Sequence, residues 1–240
     1  MGLTTWLHAH RKKVYHPTLM PPQYLERHAG RPALILGSGG TVREEAPKIL
    51  DLILDTKPVV FTCNRPSATL GDFPYFPHYT GFINRKRFCS YAKSTHLKTT
   101  LLIGPHIPED TVLAHIDPLG RWERLPFRNV EDPFRIEQGV IACDCGDVGM
   151  TLIVVAALMG CSPIQVAGMD GYPDGRPTHC YPEPDWQQSG AIAHQTRVML
   201  ILPEVRAWCR AAGIDGPHWL TRTVYRGVYR GFPRRGPCSE

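Results

Sequence analysis

Two apolar runs, far apart in the chain, end in glycines beside polar side chains that could do chemistry. The first is Ala33-Leu34-Ile35-Leu36, which passes into Gly37-Ser38-Gly39-Gly40 and then Thr41-Val42-Arg43-Glu44. The second is Ile164-Gln165-Val166-Ala167, which passes into Gly168-Met169-Asp170-Gly171-Tyr172. In open α/β sheets ligands bind outside the carboxyl ends of the strands, and glycines let a backbone approach them closely. A glycine run before a helix start has the form of a phosphate or nucleotide cradle. A glycine turn that only reverses the chain would read the same way. The loop is not a Walker loop, because no Gly-Lys-Ser/Thr follows. It is not a full dinucleotide fingerprint either, since Val42 stands where the third glycine belongs and the next strand ends in Asn64 rather than a ribose-binding acid. Asp170 and Tyr172 add an acid and a phenol to the same rim.

Asn64 and Asn84 close two successive strand-like runs on that rim. An amide both donates and accepts, which suits a base edge or a ribose hydroxyl; asparagine is also a common turn former. Arg85, Lys86 and Arg87 follow, either as countercharges to a phosphate or carboxylate or as a solvated helix face. His179 and His194 lie beyond the Asp170 rim. Histidine titrates near neutrality and can act as a general base. His194, at the start of a predicted helix, is the first candidate; His179, on a long loop, is the second. The amino end of a helix carries partial positive charge. That field predicts a neutral His194 imidazole at pH 7. Cys143-Asp144-Cys145 has no companions at zinc-site spacing and reads as structural thiols.

The elements that must hold these residues alternate between strand and helix. Strands are predicted at 33–37, 58–63, 79–83, 99–103, 140–143 and 164–167, with a short last one at Trp219-Leu220. Thr41 and Glu44 have capping-box spacing, so a helix starts at Thr41, or near residue 46 if Pro47 sits in its first turn. Val148 to Met159 is apolar all round and closed by Gly160, the pattern of a buried helix. His194 to Ala212 is a helix that Pro203 should bend. Residues 173–190, with four prolines, form a long polar loop or lid. The alternation predicts an α/β fold, a single doubly wound, mostly parallel sheet of Rossmann-like type. The expected organisation is a basic arm over 1–31, a catalytic domain over 32–225 and a basic tail over 226–240.

Composition narrows the class. At 240 residues, with 42% hydrophobic and 20% charged residues, the chain is long enough for one sizeable core. The net charge of +5 sits largely at the ends. It serves either as solvated tails or to attract an anionic substrate or surface. No nucleic-acid-binding motif accompanies it, so nucleic acid is not an expected partner. The eight cysteines exceed what a core of this size needs for staples. No signal peptide opens the sequence and no run of about 18 apolar residues occurs. A cytoplasmic protein with reduced thiols and no transmembrane segment is expected. An oligomer is compatible with all of this.

The order of these features resembles the bacterial CMP-sialic-acid-dependent sialyltransferases with a single Rossmann-like domain, a variant of the GT-A type. It also resembles related uncharacterised domains in aldolase fusions and in flagellin-modifying glycosyltransferases. The residues that carry the resemblance are the glycine loop, strand-Cys63-Asn64, strand-Asn84, the buried helix at Gly149, strand-Gly168-Met169-Asp170-Gly171-Tyr172 and the His194-led helix, over roughly 32–225. The resemblance implies that Gly37, Ser38, Gly39 and Gly40 lie along a nucleotide and that Asn64 and Asn84 bind nucleotide and sugar. Gly149 would open a helix whose amino end faces the site. Tyr172 and Tyr181 would hydrogen-bond the departing phosphate, and His194 would deprotonate the acceptor hydroxyl. Where the family reads Gly-x-Gly-Pro-Ser, this chain has Gly40-Thr41 in place of Pro-Ser. Where the family has Thr-Ser before the buried helix, this chain has Asp147-Val148. A carboxylate facing a phosphate repels it, so Asp147 either caps the helix, binds ribose or marks a different ligand.

The expected function is a metal-independent transferase that uses a CMP-linked sugar, with no cofactor. Its partners are a nucleotide or nucleotide sugar and an acceptor. Three rivals use the same features: a hydrolase of a nucleotide or nucleotide sugar, a Mg²⁺-dependent pyrophosphoryl transferase built on Asp144, Asp147 and Asp170, and a non-catalytic nucleotide-binding module.

Overall fold

The computed structural model describes residues 25–65, 76–128, 134–137, 140–143, 147–172, 180 and 191–233, and for 191–192 the backbone only. The apolar runs become β1 (Ala33–Leu36), β2 (Val59–Cys63), β3 (Tyr79–Phe82), β4 (Thr100–Ile103) and β9 (Ile164–Ala167). With β5 (Arg121–Arg124) and β10 (His218–Trp219) they form a seven-stranded sheet in the order β10-β9-β1-β2-β3-β4-β5. Every neighbouring pair in it is parallel. This is the α/β, doubly wound, Rossmann-like fold that the alternation predicts.

The central strands are apolar at successive positions because helices cover both faces of the sheet. Ala33 and Ile35 of β1 face one core; Leu34 and Leu36 face another, the two-residue period of a strand. The first core is filled by α5 (Val148–Leu158) and α6 (Ala191–Ala211). The second is filled by α1 (Thr41–Glu44) and α2 (Ala46–Thr56), through Val42, Ile49, Leu52 and Ile53. Further along the sheet, α3 (Arg85–Tyr91) and α4 (Glu109–His115) cover Phe82, Leu101 and Ile103. Helix α5 lies between sheet and α6, so it is buried all round, and Gly160 just beyond it takes the left-handed turn (φ +80°) that the sequence predicts.

Several expectations are corrected. The predicted strand 140–143 exists as β8 (Val140–Ala142), but outside the main sheet. It pairs in parallel with β6 (Phe127–Arg128) and antiparallel with β7 (Arg135–Glu137) in a second, three-stranded sheet. A short apolar run marks a strand without saying which sheet it joins. Strand β5, Arg-Trp-Glu-Arg, carries charges that suit an edge and give no alternating apolar signal. At the helix start, both positions weighed from sequence are real. Thr41 begins the short α1, and α2 follows with Pro47 in its first turn. The capping box does not form; Gly40 precedes α1 and supplies no side-chain cap of its own. Residues 25–31 are tied to the end of α5 by backbone hydrogen bonds, including Glu26 N–H to Leu158 O and His28 N–H to Met159 O.

Strand order reverses between β1 and β9. From β1 the chain winds outward through β2, β3, β4 and β5, then returns to place β9 and β10 on the other side of β1. The carboxyl ends of β1 and β9 therefore flank the crevice where such sheets hold ligands.

Candidate functional site

The two glycine-ended junctions meet at this switch point. Gly37 N–H donates to Ala167 O at 2.8 Å and Gly39 N–H to Gly168 O at 2.7 Å. The glycines are required by this contact. A Cβ on Gly37 would overlap the Gly168 carbonyl, and one on Gly39 would overlap the Asp170 carboxylate. Gly168 has φ +71°, and its Cβ would strike Val42.

Asp170, 8% exposed, closes the arrangement. Its Oδ2 accepts from Thr41 N–H at 3.0 Å and its Oδ1 from the Thr41 hydroxyl at 2.5 Å. The carboxylate thus occupies the amino end of α1, the place an anion would take. Behind it, Trp219 Nε1 and the Thr223 hydroxyl donate to Met169 O, each at 3.0 Å, and Val224 N–H donates to Asp170 O at 2.9 Å. Cys180 lies against the glycine loop: its N–H donates to Ser38 O at 2.8 Å, and Arg43 donates to its carbonyl; the rest of the predicted loop over 173–190 lies outside the described residues. His179 and Tyr181, on either side of Cys180 in sequence, lie outside the described residues, as do Asp144 and Cys145.

A second group gathers over the ends of β2 and α5. Asp147 precedes α5 and is its cap: Oδ1 accepts from Met150 N–H at 2.6 Å. Its Oδ2 lies 2.7 Å from His194 Nε2, with the two side chains 15% and 31% exposed. His194 sits one turn inside α6, which starts at Ala191. The Tyr172 ring meets the imidazole edge to face, centroids 6.0 Å apart, while Tyr172 N–H donates to Gln195 Oε1 at 2.7 Å. Gly149 admits Met169 to the first turn of α5; a Cβ there would lie 2.6 Å from the Met169 sulfur. Met169 therefore joins the two groups.

The electrostatics correct one expectation. Burial disfavours the His194 imidazolium, but the hydrogen bond and charge of Asp147 outweigh it and raise the pKa above the ordinary 6.5. The helix-dipole reading predicted the opposite direction; a carboxylate in contact exceeds a partial charge at a helix end. Burial alone would raise the Asp147 pKa, yet the His194 bond, the His194 charge and Met150 N–H together lower it. Arg87 adds a positive charge near the pair, so of the three basic residues after Asn84 it is the one that bears on the site. Cys63, just below, is buried and its thiol is pushed well up, which makes it a poor nucleophile.

The two asparagines differ. Asn64 ends β2 in a left-handed conformation (φ +56°), is 4% exposed, and its Oδ1 is buried with no hydrogen-bond partner. Asn84 is exposed and caps α3, accepting from Arg87 N–H at 3.1 Å. Sequence reasoning named Asp147 and His194 separately but missed their pairing, for which a separation of 47 residues gives no signal. It also missed that Thr41 binds Asp170. Among the described residues no three His, Cys, Asp or Glu side chains gather as a possible metal site, and no helix is long and apolar enough to cross a membrane. The six described cysteines, Cys63, Cys89, Cys143, Cys161, Cys180 and Cys209, are free thiols.

No protein-family model and no curated protein matches the chain. Among solved structures it is similar to the MAf glycosyltransferase from Magnetospirillum magneticum AMB-1, with a TM-score of 0.53 and 10% identity. That match covers 91% of this chain and 35% of the other, so the chain spans about a third of that protein's length. A mammalian sialyltransferase in complex with Gal-beta-1-3GalNAc-ortho-nitrophenol matches with a TM-score of 0.44 and 12% identity, over 84% of this chain and 82% of its own. At these identities what the chain shares with the MAf glycosyltransferase is the fold.

Proposed function

We propose that this chain is a metal-independent glycosyltransferase that takes a nucleotide-linked sugar, of the CMP-sugar type, and uses His194 as general base. The observation that carries the reading is the His194–Asp147 pair, partly open to solvent, over the carboxyl ends of the strands beside the switch point. The fold shared with the MAf glycosyltransferase supports the same class. Asn64 supports a ligand there, because a buried acceptor without a donor costs about 1–3 kcal/mol until one arrives. A ribose hydroxyl or a base amino group would supply that donor.

The reaction is a single displacement. His194 takes the proton of the acceptor hydroxyl while the acceptor oxygen bonds to the anomeric carbon. The bond from that carbon to the phosphate oxygen breaks, and the nucleotide leaves with the electron pair. Tyr172 and Tyr181 serve as hydrogen-bond donors to the leaving phosphate, and Gly149 opens the helix end that faces it. Asn84, Asp170 and the Gly37–Gly40 loop frame the nucleotide, and His179 is the reserve base. General-base catalysis is typically worth about 10²–10⁴-fold. The test is release of free nucleotide from a CMP-sugar in the presence of acceptor sugars, for wild type and His194→Ala. A fall in turnover of at least about a hundredfold with nucleotide affinity kept is expected. Near-normal turnover in His194→Ala refutes the base assignment, and nucleotide release independent of any acceptor turns the reading into a hydrolase.

A further inference from the structure

We propose that Asp147 is a positioning residue that engages Nε2 of His194 and so makes Nδ1 the nitrogen that accepts the acceptor proton. The proposal rests on the reading of His194 as general base. Its own support is geometric. Both carboxylate oxygens of Asp147 act as acceptors: Oδ1 for Met150 N–H at 2.6 Å, Oδ2 for the imidazole at 2.7 Å. A carboxylate is acceptor-only when ionised, so the nitrogen facing it must carry a proton. The neutral ring is then Nε2–H, and its lone pair lies on Nδ1, which has no hydrogen-bond partner among the described residues. Two further contacts fix the frame. Thr151 donates its hydroxyl to Asp147 O at 2.9 Å, and Asp147 stands at the first turn of a helix buried on all sides. The carboxylate is thus held by the core, and the base is held by the carboxylate.

The charge follows the proton. When Nδ1 takes the acceptor proton, the ring becomes an imidazolium whose Nε2–H already points at Asp147, so no group has to reorient during the step. Among the described residues, the charged and titratable groups around the pair are Arg87 from α3, Arg197 from α6 itself, Cys63 from β2, Tyr172 against the imidazole, and Tyr225, whose hydroxyl burial pushes up. Arg87 and Arg197 oppose the imidazolium, whereas Asp147 favours it and prevails.

Asp147→Asn separates this role from helix capping. Asparagine caps a helix about as well as aspartate. An amide, however, has one acceptor oxygen where the pair needs two. With that oxygen on Met150 N–H, the amide NH₂ faces His194 and donates to Nε2, which moves the ring proton to Nδ1 and removes the catalytic lone pair. Putting a catalytic imidazole in the wrong tautomer costs up to about 10⁴-fold in turnover. Three readouts are expected. Long-range ¹⁵N–¹H correlation of the His194 ring shows Nε2–H in the neutral wild type and Nδ1–H in Asp147→Asn. Turnover of Asp147→Asn falls by about 10²–10⁴-fold. The acid limb of kcat/KM moves to lower pH, which the loss of a structural bond alone would not cause. Asp147→Ser, which caps but falls short of the imidazole, should likewise move the acid limb to lower pH, and it stands in if the asparagine variant does not fold. A wild-type ring with its proton on Nδ1 overturns the proposal outright. Turnover lost in His194→Ala but kept at an unmoved acid limb in Asp147→Asn overturns the positioning role alone. Turnover unaffected in His194→Ala overturns the base reading and the positioning role with it.

Discussion

The Asp170 carboxylate holds the two halves of the crevice together, and its removal should be felt in stability before anything else. Asp170→Ala deletes the hydrogen bonds from Thr41 N–H and from the Thr41 hydroxyl. A hydrogen bond to a charged group contributes about 1.5–3 kcal/mol. Thr41 is partly exposed, so water recovers some of the loss, and about 3 kcal/mol is the expected cost. For a domain of this size that lowers Tm by roughly 6–12 °C. The same carboxylate lies where a Cβ of Gly39 would go, and the Gly168 carbonyl would stand 2.7 Å from that Cβ. Gly39→Ala should therefore destabilise the wild type strongly and the Asp170→Ala background less, with only the Gly168 clash left. The assay is a double-mutant cycle by urea unfolding, and a coupling of about 1–3 kcal/mol is expected. An Asp170→Ala loss below about 1 kcal/mol, or a Gly39→Ala penalty that ignores the background, would show that Gly39 is glycine for a reason other than this contact. Ligand space over the loop would then be the remaining explanation.

Nucleotides should raise Tm in a thermal-shift panel, since a ligand at 100 times its Kd stabilises by about 2.7 kcal/mol, and Asn64→Ala should abolish the shift if the buried amide is a ligand contact. Activity should persist in excess EDTA; complete loss restored by Mg²⁺ would favour pyrophosphoryl transfer. The His194–Asp147 pair should make stability pH-dependent. His194, with its raised pKa, contributes fully below about 6.5 and loses that contribution as pH rises through the folded value. Asp147, with its lowered pKa, contributes above about 3.8 and loses that as pH falls through its folded value. Denaturant midpoints of wild type and Asp147→Asn should therefore differ most near pH 5–6 (about the middle of that window), where both contributions are present, and less above it, where that of His194 is lost; a difference independent of pH would refute the pairing. Ile153→Ala, in the wholly buried α5, should cost about 2–5 kcal/mol by the same measurement.

The sheet was legible because its central strands are short apolar runs ended by Gly37, Asn64, Asn84 and Gly168, and helices on both faces force that composition. Strand β5 and helix α4 were not legible, because an edge strand of Arg-Trp-Glu-Arg and a seven-residue helix bury too little to impose a period. For the site, position was readable and pairing was not. Parallel strands put Asn64, Asp170 and the glycine loop on one rim by topology alone. That His194 meets Asp147, and that Thr41 meets Asp170, depends on how α6 and the β9 loop fold back over the rim. Those contacts span 47 and 129 residues and leave no local trace. The His194 pKa shifts opposite to the helix-dipole expectation for the same reason: the helix end is visible in sequence and the contacting carboxylate is not.

Asp147 also resolves a conflict that the sequence leaves open. A carboxylate at the amino end of α5 would repel the anionic leaving group of a nucleotide sugar if it faced the crevice uncompensated. In the structure it is compensated on three sides, by the Met150 N–H, by His194 and by the nearby charge of Arg87. With His194 protonated, Asp147, His194 and Arg87 together carry one net positive charge; with His194 neutral they carry none. The first state favours binding an anion, and the second is the one in which the ring can act as base. Below the raised His194 pKa, donor binding should be tight and the chemistry slow; above it, binding weakens and the base is ready. Under the proposed mechanism, the donor KM and kcat should therefore both rise with pH across that pKa. In Asp147→Asn, both limbs should move to lower pH together, because one proton governs them.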